Sequence, residues 1–161
     1  MEVLSRFFTP PIESFFLFGP RGTGKSTWLR HAMPDALFVD LLQPDVAREL
    51  TARPERLRDM IAESPDAATV VIDEVQRVPA ILDAVHQRMS LVHALIESKE
   101  RRRFVLTGSS ARKLRRGGVD LLAGRALVRT LHPFLASELA HFDFPSALTR
   151  GLLPLVVAAE R

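Results

Sequence analysis

The stretch from Phe15 to Leu29 reads FFLFGPRGTGKSTWL and decides the fold. Its first residues are apolar, as in a buried parallel strand, and its last residues have the apolar spacing of a helix. Between them lies a glycine-rich turn. The pattern G-x-x-x-x-G-K-[ST], which forms a phosphate-binding loop, is matched at its fixed positions by Gly19, Gly24, Lys25 and Ser26. Because strand, loop and helix occur in the required order, we predict a polyphosphate site rather than a chance glycine-rich turn.

The residue types of this loop suit a polyphosphate. Glycines let the backbone adopt positive φ and keep side chains away from the ligand. The N–H groups of the loop and of the following helix then converge on phosphate oxygens. We expect Lys25 to reach the β- and γ-phosphates and the Ser26 hydroxyl to ligate Mg²⁺. The nucleotide-binding residues predicted in this way are Gly19, Pro20, Arg21, Gly22, Thr23, Gly24, Lys25, Ser26 and Thr27.

The composition is that of one ordinary soluble domain. The 161 residues are 47% apolar, and the absence of cysteine excludes a disulfide framework and a thiolate zinc site. No apolar run approaches the length of a membrane span, and no secretory signal is recognised, so we expect a cytoplasmic protein without a membrane partner. The net charge of +3 permits nucleic-acid binding without requiring it. The five histidines lack zinc spacing and are interpreted as structural.

Short apolar runs alternate with amphipathic segments along the chain. Such alternation predicts βαβ units, and hence an α/β fold with a central, mostly parallel sheet of five strands. The predicted strands cover residues 15–18, 36–40, 69–73, 104–107 and 126–131. The predicted helices cover about 24–32, 43–53, 54–63, 79–98 and 134–141, and 109–116 is predicted as a short helix or a basic loop.

Two acids stand where one of these strands ends. In an open parallel sheet, ligands bind beyond the carboxyl ends of the strands. Asp73 ends the strand at 69–73, and Glu74 follows it. We expect Asp73 to hold Mg²⁺ opposite Ser26, usually through water, and Glu74 to orient and deprotonate an attacking water. The alternative is a strand-ending turn with two solvated acids.

Three further residues are candidates for the same site. Thr107 or Ser109, at the end of the next strand, can sense the γ-phosphate or position the water, unless they belong to a turn that caps a helix. Arg125 can stabilise the charge that develops during phosphoryl transfer, in cis or from a neighbouring copy in a homo-oligomer, unless it lies on a solvated turn. Arg21 is a weaker candidate, because the loop contacts phosphate through its backbone.

Basic residues flank the strand at 104–107. The segments KERRR at 99–103 and RKLRR at 112–116 are able to follow a nucleic-acid backbone. Base stacking needs interleaved aromatic residues, and Phe104 is the one aromatic close by. A solvated basic edge is therefore favoured over a nucleic-acid interface.

Four segments together resemble a known family. They are GPRGTGKST at 19–27, VVIDEVQRVPAILDAV at 70–85, RFVLTGSSARKL at 103–114 and LAGRALVRTLHPFLASEL at 122–139. Their order and spacing resemble the prokaryotic AAA+-type ATPases that carry an "AAA 14" ATP-binding domain. The resemblance covers about residues 6 to 157.

The resemblance implies a P-loop NTPase fold of AAA+-like type, a three-layer α/β/α sandwich that binds ATP with Mg²⁺. By position, Asp73 becomes the metal-side acid, Glu74 the water-activating acid and Arg125 a candidate arginine finger. Either Thr107 or Ser109 takes the sensor place. No second sensor arginine can be assigned, and Gln76 and Arg77 belong to the pattern without an assigned role.

Domain boundaries follow from the same reading. Residues 1–14 are expected to be a lead-in and residues 15–145 the ATPase domain. Family members usually continue into a second domain. Residues 146–161 are therefore expected to be the start of a truncated C-terminal region.

The leading functional hypothesis is a Mg²⁺-dependent ATPase that hydrolyses the β–γ phosphate bond to drive a conformational change. The first alternative is a nucleotide-binding switch with negligible hydrolysis on its own. The second is a DNA-associated ATPase that uses the basic edge at 99–116. A small-molecule kinase is less consistent with Glu74 beside Asp73, and a GTPase would need an Asn-Lys-x-Asp motif that the sequence lacks.

Overall fold

The sheet at the centre of the molecule has five parallel strands. A computed structural model describes residues 5–85, 102–109 and 126–158. Within them the strand order is β2-β3-β4-β1-β5, and every neighbouring pair runs parallel. The strands are β1 Phe15–Phe18, β2 Leu37–Asp40, β3 Thr69–Asp73, β4 Arg103–Gly108 and β5 Leu127–Thr130. The predicted α/β fold with a five-stranded parallel sheet is confirmed.

Both faces of the sheet are covered, which explains why β1 is apolar at every position. Side chains alternate between the two faces of a strand, so Phe16 and Phe18 enter one core while Phe15 and Leu17 enter the other. All four are buried. A continuous apolar run of this kind is typical of a strand enclosed between helical layers.

The helices divide between the two cores. Helix α1, Lys25–Ala32, buries Trp28 and Leu29 in the core that contains Phe15. Helices α2, Pro44–Ala52, and α3, Arg56–Ala62, contribute to the core that contains Phe16, as do the helical residues 81–85. The remaining described helices are α4, Phe144–Arg150, and α5, Pro154–Ala158. No helix among residues 5–85, 102–109 and 126–158 has the length and apolar character needed to cross a bilayer.

The helix predicted at 134–141 is wrong. The structure has a single 3₁₀ turn there, Ala136–Glu138, preceded by an extended Leu135. The Glu138 carboxylate accepts hydrogen bonds from the N–H groups of Leu135, at 2.9 Å, and Phe7, at 2.7 Å. The local bond from Leu135 and the bond from the distant Phe7 hold the turn in place of a regular helix.

Helix α4 was not predicted, although the sequence carries its boundary signals. Asp143 precedes the helix, and its side chain accepts a hydrogen bond from the Ser146 N–H at 3.0 Å. Pro145 lies in the first turn, and Gly151, with φ of 82°, follows the last residue. Most of the helix predicted at 79–98, and all but Ser109 of the segment at 109–116, lie outside the described residues.

Candidate functional site

The loop between β1 and α1 is a closed, glycine-rich turn. Gly22 and Gly24 have φ of 86° and 81°, a conformation that residues with a Cβ seldom adopt. The hydroxyl of Thr23 donates to the Pro20 carbonyl at 2.9 Å, and this hydrogen bond closes the turn. The first α-helical hydrogen bond runs from the Trp28 N–H to the Gly24 carbonyl at 2.8 Å. The sequence pattern therefore folds into a tight glycine-rich turn between β1 and α1.

Gly19 lets the loop approach the end of β5. The Leu131 N–H donates to the Phe18 carbonyl at 2.7 Å, which brings the two chain segments together. A Cβ placed on Gly19 would lie 2.2 Å from the Leu131 carbonyl oxygen and 3.2 Å from Oγ1 of Thr23. Both neighbours are held by hydrogen bonds, so there is no room for a side chain.

We expect Gly19→Ala to lower the free energy of unfolding by about 3 kcal/mol, because the methyl group must displace a backbone carbonyl. The matched control is Gly151→Ala. Gly151 has φ of 82° but no atom within 4 Å of an added Cβ, so only the backbone conformation resists the change. That control should cost about 1 kcal/mol, at the lower end of the range for a backbone conformation that is essentially restricted to glycine. Urea unfolding without nucleotide measures both losses, and equal losses would contradict the steric argument.

Lys25 lies inside the turn rather than on the surface. Its side chain is 4% exposed, and Nζ donates to the carbonyls of Gly19 at 2.8 Å and Pro20 at 3.2 Å. Burial lowers the pKa of Lys25 below its ordinary value, while the negative charges of Glu74 and Asp73 partly raise it. The ammonium group is thus buried close to both carboxylates.

The ends of β3 and β4 meet beside this lysine. Asp73 and Thr107 are both buried, and the Thr107 hydroxyl donates to Oδ1 of Asp73. The same hydroxyl oxygen accepts a hydrogen bond from the Glu74 N–H at 2.9 Å. Thr107 therefore connects the two acids, whereas Ser109 lies half-buried just beyond the end of β4.

Glu74 has a strained backbone. Its φ of 59° and ψ of 49° place it in the left-handed region, where no other non-glycine residue of the described segments lies. This conformation costs about 1–3 kcal/mol and is common at functional sites. It ends β3 abruptly and starts the 3₁₀ turn Val75–Arg77, whose first residue is buried in the core. The sharp turn leaves Glu74 at the carboxyl end of the sheet.

The other residues predicted for the loop lie at its surface or just inside it. Pro20 and Arg21 are exposed, Ser26 is half-buried in the first turn of α1, and Thr27 is exposed. Arg125 lies outside the described residues. No group of three or more His, Cys, Asp or Glu side chains that could enclose a metal ion occurs among the residues the structure describes.

Two arginines of the basic segment at 99–103 hold the backbone of neighbouring segments. Arg102 donates to the carbonyls of Ile61 at 3.0 Å and Ser64 at 2.9 Å. Arg103 donates to the Pro11 carbonyl at 2.9 Å. The rest of the basic edge, including 112–116, lies outside the described residues.

Sequence reasoning missed an ion pair that fixes the N-terminal segment to the loop. Arg6 pairs with Glu138 at 3.3 Å, and the two side chains are 5% and 4% exposed. The Arg6 guanidinium also lies 4.4 Å from the ring centre of Phe134 and donates to the Thr23 carbonyl at 3.4 Å. The only sequence signal was that Glu138 lies in the segment LAGRALVRTLHPFLASEL at 122–139, which does not indicate its partner.

Sequence reasoning also missed the contact between the C-terminal segment and the loop. A Cβ on Gly22 would lie 3.8 Å from Leu153, and a Cβ on Gly24 would lie 3.5 Å from Pro154. The Phe134 N–H donates to the Leu152 carbonyl at 2.8 Å. Residues after α4 therefore return to the glycine-rich turn.

Comparison with known proteins gives a family. A family model described as an AAA domain, AAA 14, matches residues 13–140. Pif1 helicase from Candida albicans is 15% identical with a TM-score of 0.42, covering 78% of this chain and 37% of that one. The Walker-type ATPase PABY2304 of Pyrococcus abyssi is 19% identical with a TM-score of 0.47, covering 77% of this chain and 50% of that one. The chain thus spans at most half of either structure. No curated protein matches it.

Proposed function

This chain belongs to the AAA 14 family of AAA domains, and we propose that it binds ATP with Mg²⁺ and hydrolyses the β–γ phosphate bond to drive a conformational change. One observation carries the proposal. Lys25 lies in the glycine-rich turn, where Nζ donates to the carbonyls of Gly19 and Pro20, and Asp73 and Glu74 stand at the carboxyl end of β3 in the same sheet. Binding and hydrolytic groups therefore share one end of the sheet.

Binding uses the backbone of the turn and one buried cation. The glycines leave N–H groups unobstructed, and α1 adds the positive end of its dipole. Lys25 exchanges its bonds to the carbonyls of Gly19 and Pro20 for phosphate oxygens. Because a desolvated cation interacts strongly with a phosphate, this exchange favours the nucleotide-bound turn.

The oxygen donors of the site fit Mg²⁺. Magnesium is commonly held by one or two carboxylates together with substrate phosphates and water, so it needs no enclosed protein cage. Ser26 supplies a hydroxyl at the start of α1, and Asp73 supplies a carboxylate oriented by Thr107. The ion, bound with the nucleotide, would neutralise charge on the phosphates.

Hydrolysis requires a base for water, and Glu74 takes that role. As the water oxygen bonds to the γ-phosphorus, its proton passes to the Glu74 carboxylate. The bond from the γ-phosphorus to the bridging oxygen breaks, and ADP leaves with the electron pair. Thr107 holds Asp73 in place during this step, with Ser109 as the alternative sensor. Arg125, acting in cis or across a homo-oligomer, is proposed to stabilise the developing charge.

The alternatives have less support. A switch without hydrolysis would not need Glu74 beside a buried lysine. A DNA-associated role would need free cations along 99–116, and two of the arginines there, Arg102 and Arg103, bind backbone carbonyls instead. We retain residues 15–145 as the proposed ATPase domain and a cytoplasmic location as a prediction.

Lys25→Ala tests the proposal. We expect Mg²⁺-ATP at 100 times its Kd to raise the free energy of unfolding of the wild-type chain by about 2.7 kcal/mol. The variant should lose most of this increase and its ATP turnover, because the cation that faces the phosphates is gone. Arg48→Ala removes an exposed cation outside the loop and is the matched control. Wild type without nucleotide-dependent stabilisation, or a variant that retains it, would contradict the proposal.

A further inference from the structure

The side chain of Gln76 is bonded to the proposed catalytic base. Gln76 lies in the 3₁₀ turn Val75–Arg77, and its Nε2 donates to Oε2 of Glu74. The other carboxylate oxygen of Glu74, Oε1, accepts no hydrogen bond from another residue of the described segments. One oxygen of the base is thus held by Gln76, while the other has no donor within the described segments.

The surrounding backbone is arranged for this contact. The left-handed conformation of Glu74 starts the 3₁₀ turn, which brings residues 74 and 76 into reach of each other. Val75 and Val78 are buried on either side of Gln76 and anchor the turn in the core. The Glu74 N–H is fixed in turn by Thr107.

The end of β4 leaves room for the amide. A Cβ on Gly108 would lie 2.9 Å from Oε1 of Gln76, so any larger residue would push the amide away from Glu74. Oε1 of Gln76 is buried and lacks a hydrogen-bond partner within the described part of the chain. Leaving a buried amide oxygen unpaired is unfavourable, and a purely structural glutamine would have no reason to bear that cost.

From this geometry we infer that Gln76 is a positioning residue for the hydrolysis of ATP. This inference rests on the proposed function. It fixes the rotation of the Glu74 carboxylate so that Oε1 faces the attacking water. An amide suits this task because it donates without a positive charge, so it orients the carboxylate without forming an ion pair that would reduce its basicity. Fixing the base before the reaction removes an orientation cost from the barrier.

Gln76→Met tests the inference. Methionine has a similar length and volume but no donor, so it removes the hydrogen bond without opening a large cavity. We expect kcat for ATP to fall by about 10- to 100-fold, while KM and the directly measured Kd for ATP change less than about twofold. Gln43→Met is the matched control, because Gln43 is exposed before α2 and its side chain makes no capping bond. A kcat equal to wild type would overturn the inference. A kcat above wild type would also overturn it, since Gln76 would then restrain the base.

A double variant separates positioning from general loss of structure. If Gln76 acts through Glu74, adding Gln76→Met to Glu74→Gln should leave the residual kcat unchanged. If the double variant instead lowers kcat by the product of the two separate reductions, Gln76 acts elsewhere and the inference is overturned. If Glu74→Gln retains full turnover, or wild type has none, the proposed function itself fails. If Glu74→Gln loses turnover and Gln76→Met does not, the inference fails alone.

Discussion

Replacing Glu74 by Gln is expected to lower kcat for ATP hydrolysis by about 10²- to 10⁴-fold, the contribution of a positioned general base. The substitution keeps the size of the side chain but removes its ability to take a proton from water. The affinity for ATP should stay within about twofold, because the proposed contacts to the phosphates come from the loop and from Lys25. Phosphate release and direct nucleotide binding, measured on the same preparation, separate the two effects.

Glu13→Gln is a suitable control for this experiment. Glu13 is exposed and precedes β1, on the side away from the carboxyl ends of the strands. The Glu13→Gln variant should hydrolyse ATP at the wild-type rate. If Glu74→Gln retained wild-type turnover, Glu74 would not be the base, and the switch without hydrolysis would become the better interpretation.

Glu138→Ala is expected to lower the free energy of unfolding by about 3–5 kcal/mol, as when one partner of a buried ion pair is removed. The loss has two causes. Arg6, whose side chain is 5% exposed, keeps its charge without a carboxylate partner. The N–H groups of Phe7 and Leu135 lose their acceptor. Urea or thermal unfolding without nucleotide measures the change.

Glu63→Ala provides the comparison, because Glu63 also pairs with an arginine, Arg56, at 3.1 Å but its side chain is 63% exposed. Solvent screens that pair, and its removal should cost no more than about 1 kcal/mol. Similar losses for Glu63→Ala and Glu138→Ala would show that burial does not strengthen the Arg6–Glu138 pair. Because Arg6 also reaches the Thr23 carbonyl, Glu138→Ala should weaken ATP binding as well.

The parts of the site that are local in sequence could be predicted. The phosphate-binding turn needs glycines and a lysine at fixed spacing, so the pattern around Gly19 and Lys25 predicts its conformation. Asp73 and Glu74 could be placed at the same end of the sheet, because parallel strands present their carboxyl ends together. The spacing of the glycines and the lysine, together with the rule for parallel sheets, was enough for these predictions.

The partners of these residues could not be predicted. Thr107 or Ser109 was expected to sense the γ-phosphate, but nothing in the sequence indicates that the Thr107 hydroxyl binds Asp73. That contact follows from β4 lying next to β3. Gln76 had no assigned role until the left-handed conformation of Glu74 placed the two side chains in contact. The prediction of a helix at 134–141 was wrong because Glu138 binds the N-terminal segment, which holds a 3₁₀ turn there.

The sequence by itself determined the α/β class, the glycine-rich turn and the acidic strand end, because each depends on the spacing of residues that are close along the chain. The tertiary structure alone decided that Arg6 pairs with Glu138, that Leu153 and Pro154 lie against the turn, and that Thr107 connects the two acids. These contacts join residues far apart in the chain. Their formation depends on strand order and packing, and such contacts leave no periodic pattern in the sequence.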